Sequence, residues 1–179
     1  MNKFKKIIAC LKIKFMFFKY IISEKWFTKS MNKYLSYIGC NVTGKIKYCA
    51  RNVKIDFTDP SKIHIGNNCV ITSNVTLLIH DYSIECGLVT INKQDSTYES
   101  LFIRDIYIGS NCFIGQNSFI KPGTKIGNNC IIGAGSVVNG VFPDNSLIAG
   151  NPAKVICSTI DWAERKYIEH KYINGNRRR

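Results

Sequence analysis

The stretch Ile108–Val138, IGSNCFIGQNSFIKPGTKIGNNCIIGAGSVV, places an aliphatic residue at every sixth position, and a fragment of it, IGNNCVI, already occurs at Ile65–Ile71. Written in sixes the chain reads IGNNCV, ITSNVT and then, after an interruption, IGSNCF, IGQNSF, IKPGTK, IGNNCI, IGAGSV. The slots are an aliphatic residue, often glycine, two polar positions, a small residue and a variable one. Helices and flat strands repeat every 3.6 and 2 residues, so neither generates a period of six. A coil that turns one corner per hexapeptide does. Each aliphatic residue then points into a narrow interior with the small residue beside it, and Gly or Asn near a corner accommodates positive φ. The predicted fold is mainly β: a parallel β-helix with rungs stacked about 4.7–4.9 Å apart, its ends covered by flanking helices.

The period runs imperfectly from Val42, strictly from Ile108, and ends near Leu147. Between Tyr82 and Asp105 it stops. A mixed polar segment of that length inside a tight repeat is usually functional. The resulting organisation is a basic helical arm over 1–41, a β-helix over 42–156 carrying an active-site loop at 82–105, and a C-terminal helix with a basic tail over 157–179.

With 179 residues and 45% hydrophobic content, the chain suits one domain with a sizeable core. The net charge of +13 is uneven: nine lysines against one acid, Glu24, fall within the first 35 residues. Phe4, Ile8, Leu11, Phe15, Phe18 and Ile22 form one apolar stripe at helical spacing. Such a helix packs on its own protein or a neighbouring subunit, or lies on an anionic membrane through residues 1–25. The arm is too charged to span a bilayer and has no cleavage site of the secretory kind. Its aromatic residues have packing spacing, so no nucleic-acid partner is expected. None of the eight cysteines forms a C-x-x-C pair, and Cys69, Cys112 and Cys130 share a slot with Ser118, Thr124 and Ser136. They read as small core residues of a reduced, cytoplasmic protein.

Ile108–Val138, followed by FPDNSLIAGNPAKVI at Phe142–Ile156, resembles the hexapeptide-repeat acyltransferases. These left-handed β-helix enzymes include galactoside, maltose and serine O-acetyltransferases and acetyltransferases of surface-polysaccharide synthesis. The resemblance spans Val42 to Ile156. It implies a left-handed coil, a homotrimer, and active sites between subunits with acetyl-CoA along the groove. The handedness comes from the resemblance, not from the period.

Acyl transfer to a hydroxyl needs a group to take the proton and donors for the oxyanion. Histidine suits the first task, and the chain has three: His64, His80 and His170. His80, in LLIHDYS, stands where the repeat gives way to the loop and matches the general base of the sugar acetyltransferases. His64 occupies a variable slot and His170 the terminal helix. Asp81 either orients His80 or caps the turn. The resemblance also implies acceptor binding at Asn52, which reads equally as a corner asparagine. For the cofactor it implies Gln116, Ala134, Asn139, Gly140 and Lys154, the last suited to the phosphates of CoA. No metal is expected.

The expected activity is acetyl-CoA-dependent O-acetylation of a sugar hydroxyl in capsule, lipopolysaccharide or other surface-glycan synthesis. N-acetylation of a nucleotide-linked amino sugar is the alternative within the class. A non-catalytic scaffold and a metal-dependent hydratase are alternatives outside it.

Overall fold

The computed structural model describes residues 5, 7–9, 11, 12, 23–95 and 97–169. Helix α1 (Glu24–Ile38) starts at Ser23, whose side chain accepts from the Trp26 amide, and stops at Gly39, whose φ of 108° turns its amide back onto the Leu35 and Ser36 carbonyls. Phe27, Met31, Leu35 and Ile38 repeat at helical spacing and are buried. This stripe lies against the first strands, so α1 closes one end of the coil. Asn32 fixes it there: its side chain accepts from the Ile46 amide at 2.8 Å and donates to the Ile46 carbonyl at 3.2 Å.

Most of the predicted stripe over Phe4–Ile22 lies outside the described residues. Of those described, 5, 7–9, 11 and 12 are helical. Ala9 is buried and Lys12 Nζ sits 3.4 Å over the Tyr37 ring, whereas Ile7 and Leu11 remain exposed.

The coil follows as short strands: β1 (Asn41–Val42), β2 (Tyr48–Cys49), β3 (Lys54–Ile55), β4 (Ile63–Ile65), β5 (Val70–Ile71) and β6 (Thr76–Leu77). An excursion comes next, with β7 (His80–Asp81), helix α2 (Ser83–Thr90) and β8 (Phe102–Ile103). The coil resumes with β9 (Ile106–Ile108), β10 (Phe113–Ile114), β11 (Phe119–Ile120), β12 (Lys125–Ile126), β13 (Ile131–Ile132), β14 (Val137–Val138), β15 (Val141–Phe142) and β16 (Ser146–Gly150). Three parallel sheets result, ordered β1-β4-β9-β12-β15, β2-β5-β10-β13-β16 and β3-β6-β11-β14. This is the left-handed parallel β-helix of the hexapeptide-repeat proteins.

In the strict region one coil takes 18 residues, so Asn111 meets Asn129 directly. Between the first two coils the offset is 22 in the second and third sheets, as with Asn52 and Asn74, and 23 in the first, because a 3-10 turn at Pro60–Lys62 is inserted. Ile114, Ile120, Ile132 and Ile148 are fully enclosed. Each contributes about 1.5–3 kcal/mol by leaving water. Cys69, Cys112 and Cys130 are buried as expected, and their thiols point to the Gly109, Gly127 and Pro143 carbonyls at 3.1–3.2 Å. Ser118 and Thr124 fill the same slot and donate to the Gly133 and Val138 carbonyls.

Glycine and asparagine turn out to have separate tasks. Asn68, Asn74, Asn111, Asn117, Asn129 and Asn145 carry the left-handed corner conformation, with φ between 56° and 60°. Their amides stack in ladders from coil to coil. The glycine after the aliphatic residue serves close approach instead. A Cβ at Gly109 would lie 2.5 Å from the Gly127 carbonyl carbon.

Two segments depart from the regular coil. Residues 82–105 are not wholly irregular, since α2 forms within them and β7 and β8 pair antiparallel, His80 opposite Ile103. NPAKVI does not extend the coil: β17 (Ala153–Ser158) returns antiparallel on β16. Its direction reverses at Asn151–Pro152, a cis peptide bond. Helix α3 (Thr159–Glu169) follows, and His170 lies outside the described residues.

Candidate active site

The excursion leaves the coil at the edge between the third and first sheets, and β7 starts with His80. The Ile79 amide donates to Asp56 Oδ2 at 3.0 Å, and His80 Nδ1 lies 2.5 Å from the same oxygen. Asp56 follows β3 one coil earlier, and the β3–β6 register carries it under the start of β7. Its other oxygen accepts from the Thr58 amide at 2.8 Å, and Thr58 Oγ1 stands 3.2 Å from His80 Nδ1.

The Asp56 side chain is only 3% exposed, that of His80 27%. Burial works against the Asp56 charge, but hydrogen bonds from the Thr58 amide and side chain, the Ile79 amide and His80 outweigh it. The carboxyl is held below its ordinary range. An ionised carboxylate can only accept, so Nδ1 carries a proton, and in the neutral ring Nε2 keeps its lone pair. Among the described residues no hydrogen bond uses Nε2. The imidazole is therefore oriented from behind and open in front, the arrangement a general base requires. The Tyr82 ring stands edge-on to it, 5.4 Å between centroids.

Asp81 does not orient His80. It accepts from the Ser83 amide at 2.9 Å, capping the turn into α2, and lies 4.0 Å from Lys121 Nζ. Sequence reasoning passed over Asp56, the residue that does orient the ring. The available signal was its place two residues before Thr58, the coil position below His80.

His64 is apart from this group, on the outer face of β4. It stacks on Tyr107 with centroids 4.2 Å apart and bonds Asp105 at 3.0 Å. Among the described residues no group of three or more His, Cys, Asp or Glu side chains is arranged to hold a metal ion.

The other predicted positions divide between two edges. Asn52 lies on the edge between the second and third sheets, its amide bonded to Asn74, which in turn bonds Asn117. Gln116 and Ala134 are exposed on that same edge, where the Gln116 carbonyl accepts from the Gly135 amide at 2.7 Å. A Cβ built at Gly135 meets nothing within 4 Å. This edge thus offers small residues with open space outside them, which suits a narrow pantetheine arm. Asn139 and Gly140 lie on the His80 edge instead, in the β14–β15 corner, and Lys154 is exposed on β17. One copy of the chain does not bring Ala134 and His80 onto one edge.

Comparison with known proteins gives four findings. The profile of the bacterial transferase hexapeptide family (six repeats) matches residues 105–140. Protein CapG of Staphylococcus aureus is 39% identical over 165 residues, covering 87% of this chain and 92% of CapG. Galactoside O-acetyltransferase of Escherichia coli K12 is 34% identical over 137 residues, or 76% of this chain, and the chain spans only 63% of that protein's length. Among solved structures, the hexapeptide-repeat acetyltransferase VCA0836 of Vibrio cholerae complexed with acetyl coenzyme A superposes with a TM-score of 0.50. Its identity is 26%, over 60% of this chain and 54% of that one.

Proposed function

The chain belongs to the bacterial hexapeptide-repeat acetyltransferase family, and from that premise we propose that it transfers an acetyl group from acetyl-CoA to a sugar hydroxyl in surface-glycan synthesis. The Asp56-oriented His80, with a free Nε2 at the mouth of the excursion, is the observation that carries the reading. It is supported by the similarity to a galactoside O-acetyltransferase and to an acetyltransferase complexed with acetyl coenzyme A.

In the proposed step His80 Nε2 accepts the hydroxyl proton as the acceptor oxygen bonds to the acetyl carbon. The carbon–sulfur bond then breaks, and the imidazolium returns its proton to the departing CoA sulfur. The products are an acetate ester and free CoA, and no acyl-enzyme forms. Asp56 holds the Nδ1–H tautomer and stabilises the transient imidazolium. Gln116, Ala134, Asn139, Gly140 and Lys154 hold the cofactor, Lys154 offering its charge to a phosphate. Because His80 and Ala134 lie on different edges, a working site takes one edge from each of two copies, as a closed three-fold ring provides.

His80→Ala tests the assignment. Transfer to a sugar acceptor, followed by mass spectrometry of the ester, should fall by about 10²–10⁴, with acetyl-CoA still bound. Wild-type turnover by this variant would refute it.

Among the described residues no helix is long and apolar enough to cross a membrane. We assign residues 1–25, with Ile7 and Leu11 exposed, a peripheral contact with anionic lipid. Removing them should abolish co-sedimentation with anionic vesicles at low salt and spare acetyl-CoA binding. A full-length chain that stays in the supernatant refutes the contact.

A further inference from the structure

We propose that the acceptor is an anionic sugar, one bearing a carboxylate or phosphate, whose acidic group is held beside His80 by Arg104 and Lys121. This rests on the reading of His80 as the catalytic base and goes beyond it to the substrate class.

Two cations converge where the excursion rejoins the coil. Arg104 follows β8, the strand that pairs with His80, and its amide donates to the Ile79 carbonyl at 2.9 Å. Its backbone is thereby tied to the residue before the base. The side chain runs over the Lys121–Gly123 corner, where Arg104 Cδ lies 3.2 Å from the place a Gly123 Cβ would take. The guanidinium ends 4.8 Å above the Phe102 ring. The missing side chain at Gly123 thus gives Arg104 its path along the edge, and Phe102 supports the guanidinium from one side.

Among the described residues no carboxylate pairs with Arg104. Lys121 meets only Asp81, at 4.0 Å, and the other Asp81 oxygen is engaged by the Ser83 amide. The nearby carboxylate of Asp56 is buried and already committed to His80, Thr58 and Ile79. Within one residue of the base, then, the rim carries two cations against one exposed anion. A planar guanidinium with free donors matches a carboxylate or phosphate in two-point fashion, and a lysine adds a point charge. A neutral sugar would leave both cations unused.

The ring of such an acceptor has an apolar partner in Tyr82, which is 46% exposed and edge-on to His80. The cofactor's own phosphates have a separate cation in Lys154, on β17 at the far end of the coil.

The test compares methyl β-glucuronide, glucose 1-phosphate and methyl β-glucoside as acceptors for the full-length wild type, Arg104→Gln and the Arg104→Gln/Lys121→Gln double variant. Wild type should favour at least one anionic acceptor over the glucoside by about tenfold or more in kcat/KM. The glucuronide and phosphate arms tell which acid is used. The double variant should lose that preference through a raised acceptor KM, with the KM for acetyl-CoA and the rate on the glucoside unchanged. A wild type that acetylates neither anionic acceptor, or a double variant whose defect lies in the KM for acetyl-CoA, overturns the inference. An active His80→Ala variant would instead remove the reading of the base, whereas an inactive one together with no acid preference would remove this proposal alone.

Discussion

His80 Nδ1 and Asp56 Oδ2 lie 2.5 Å apart although 24 residues separate them in the chain. The carboxylate has no path to substrate except through the ring, so its proposed role is positioning. Asp56→Asn keeps the shape but removes the charge that favours the Nδ1–H tautomer and the imidazolium. It should lower kcat by about 10²-fold with the KM for acetyl-CoA unchanged. A kcat equal to that of the wild type would reduce Asp56 to a packing residue.

The same carboxylate links stability to pH. Its folded pKa is lowered, so its contribution is fully present above the ordinary aspartate value and is lost as pH falls through the folded one. The difference in Tm between wild type and Asp56→Asn should therefore be largest above about pH 5 and shrink below about pH 4. Melting curves from pH 7 to pH 3 measure it. A gap that widens toward acid would contradict the assignment of the charge.

Much of this architecture was legible in the sequence, because a hexapeptide period admits few folds and a misplaced interior residue would have nowhere to go. The aliphatic and small slots, from Ile65 and Cys69 to Ile132 and Ser136, are filled as the pattern requires. Less legible was whatever depends on offsets the period does not set. The turn at Pro60–Lys62 lengthens the first coil, setting a 22-residue offset to the next, and that offset decides which early residue lies beneath His80. Asp56 was hidden for this reason. The period ends near Leu147, so it says nothing of the path of NPAKVI, and nothing local in that stretch marks the reversal by which β17 returns on β16. Helix α1 falls within the helical arm expected over 1–41, but its own stripe of Phe27, Met31, Leu35 and Ile38 between Ser23 and Gly39 follows a lysine-rich run that is the stronger signal.

The two kinds of glycine make opposite predictions. Gly115→Ala would place a methyl 2.5 Å from the Ala134 amide nitrogen, backbone that cannot move without separating two coils. It should cost about 1–3 kcal/mol, as overpacking does. Gly87 lies inside α2 with nothing within 4 Å of a built Cβ. Gly87→Ala should stabilise by about 0.4–1 kcal/mol through the unfolded chain and the helix. Chemical denaturation of both variants gives the comparison, and equal effects would count against the close-approach account.

The division of candidate residues between two edges has the sharpest consequence for assembly. His80 stands on the edge between the third and first sheets and Ala134 on the one between the second and third, so a His80→Ala chain keeps the proposed cofactor edge intact. An Ala134→Trp chain keeps the proposed base intact. Each variant alone should assemble and be inactive, the second because indole fills the open space outside this corner. Co-refolded in equal amounts as mixed trimers, they should regain about a quarter of wild-type activity, the chance that two good edges meet at one interface. If each chain held a complete site, every chain in the mixture would carry one fatal substitution and nothing would be regained. Size-exclusion chromatography with light scattering tests whether both variants form trimers, which separates a null result from failed assembly.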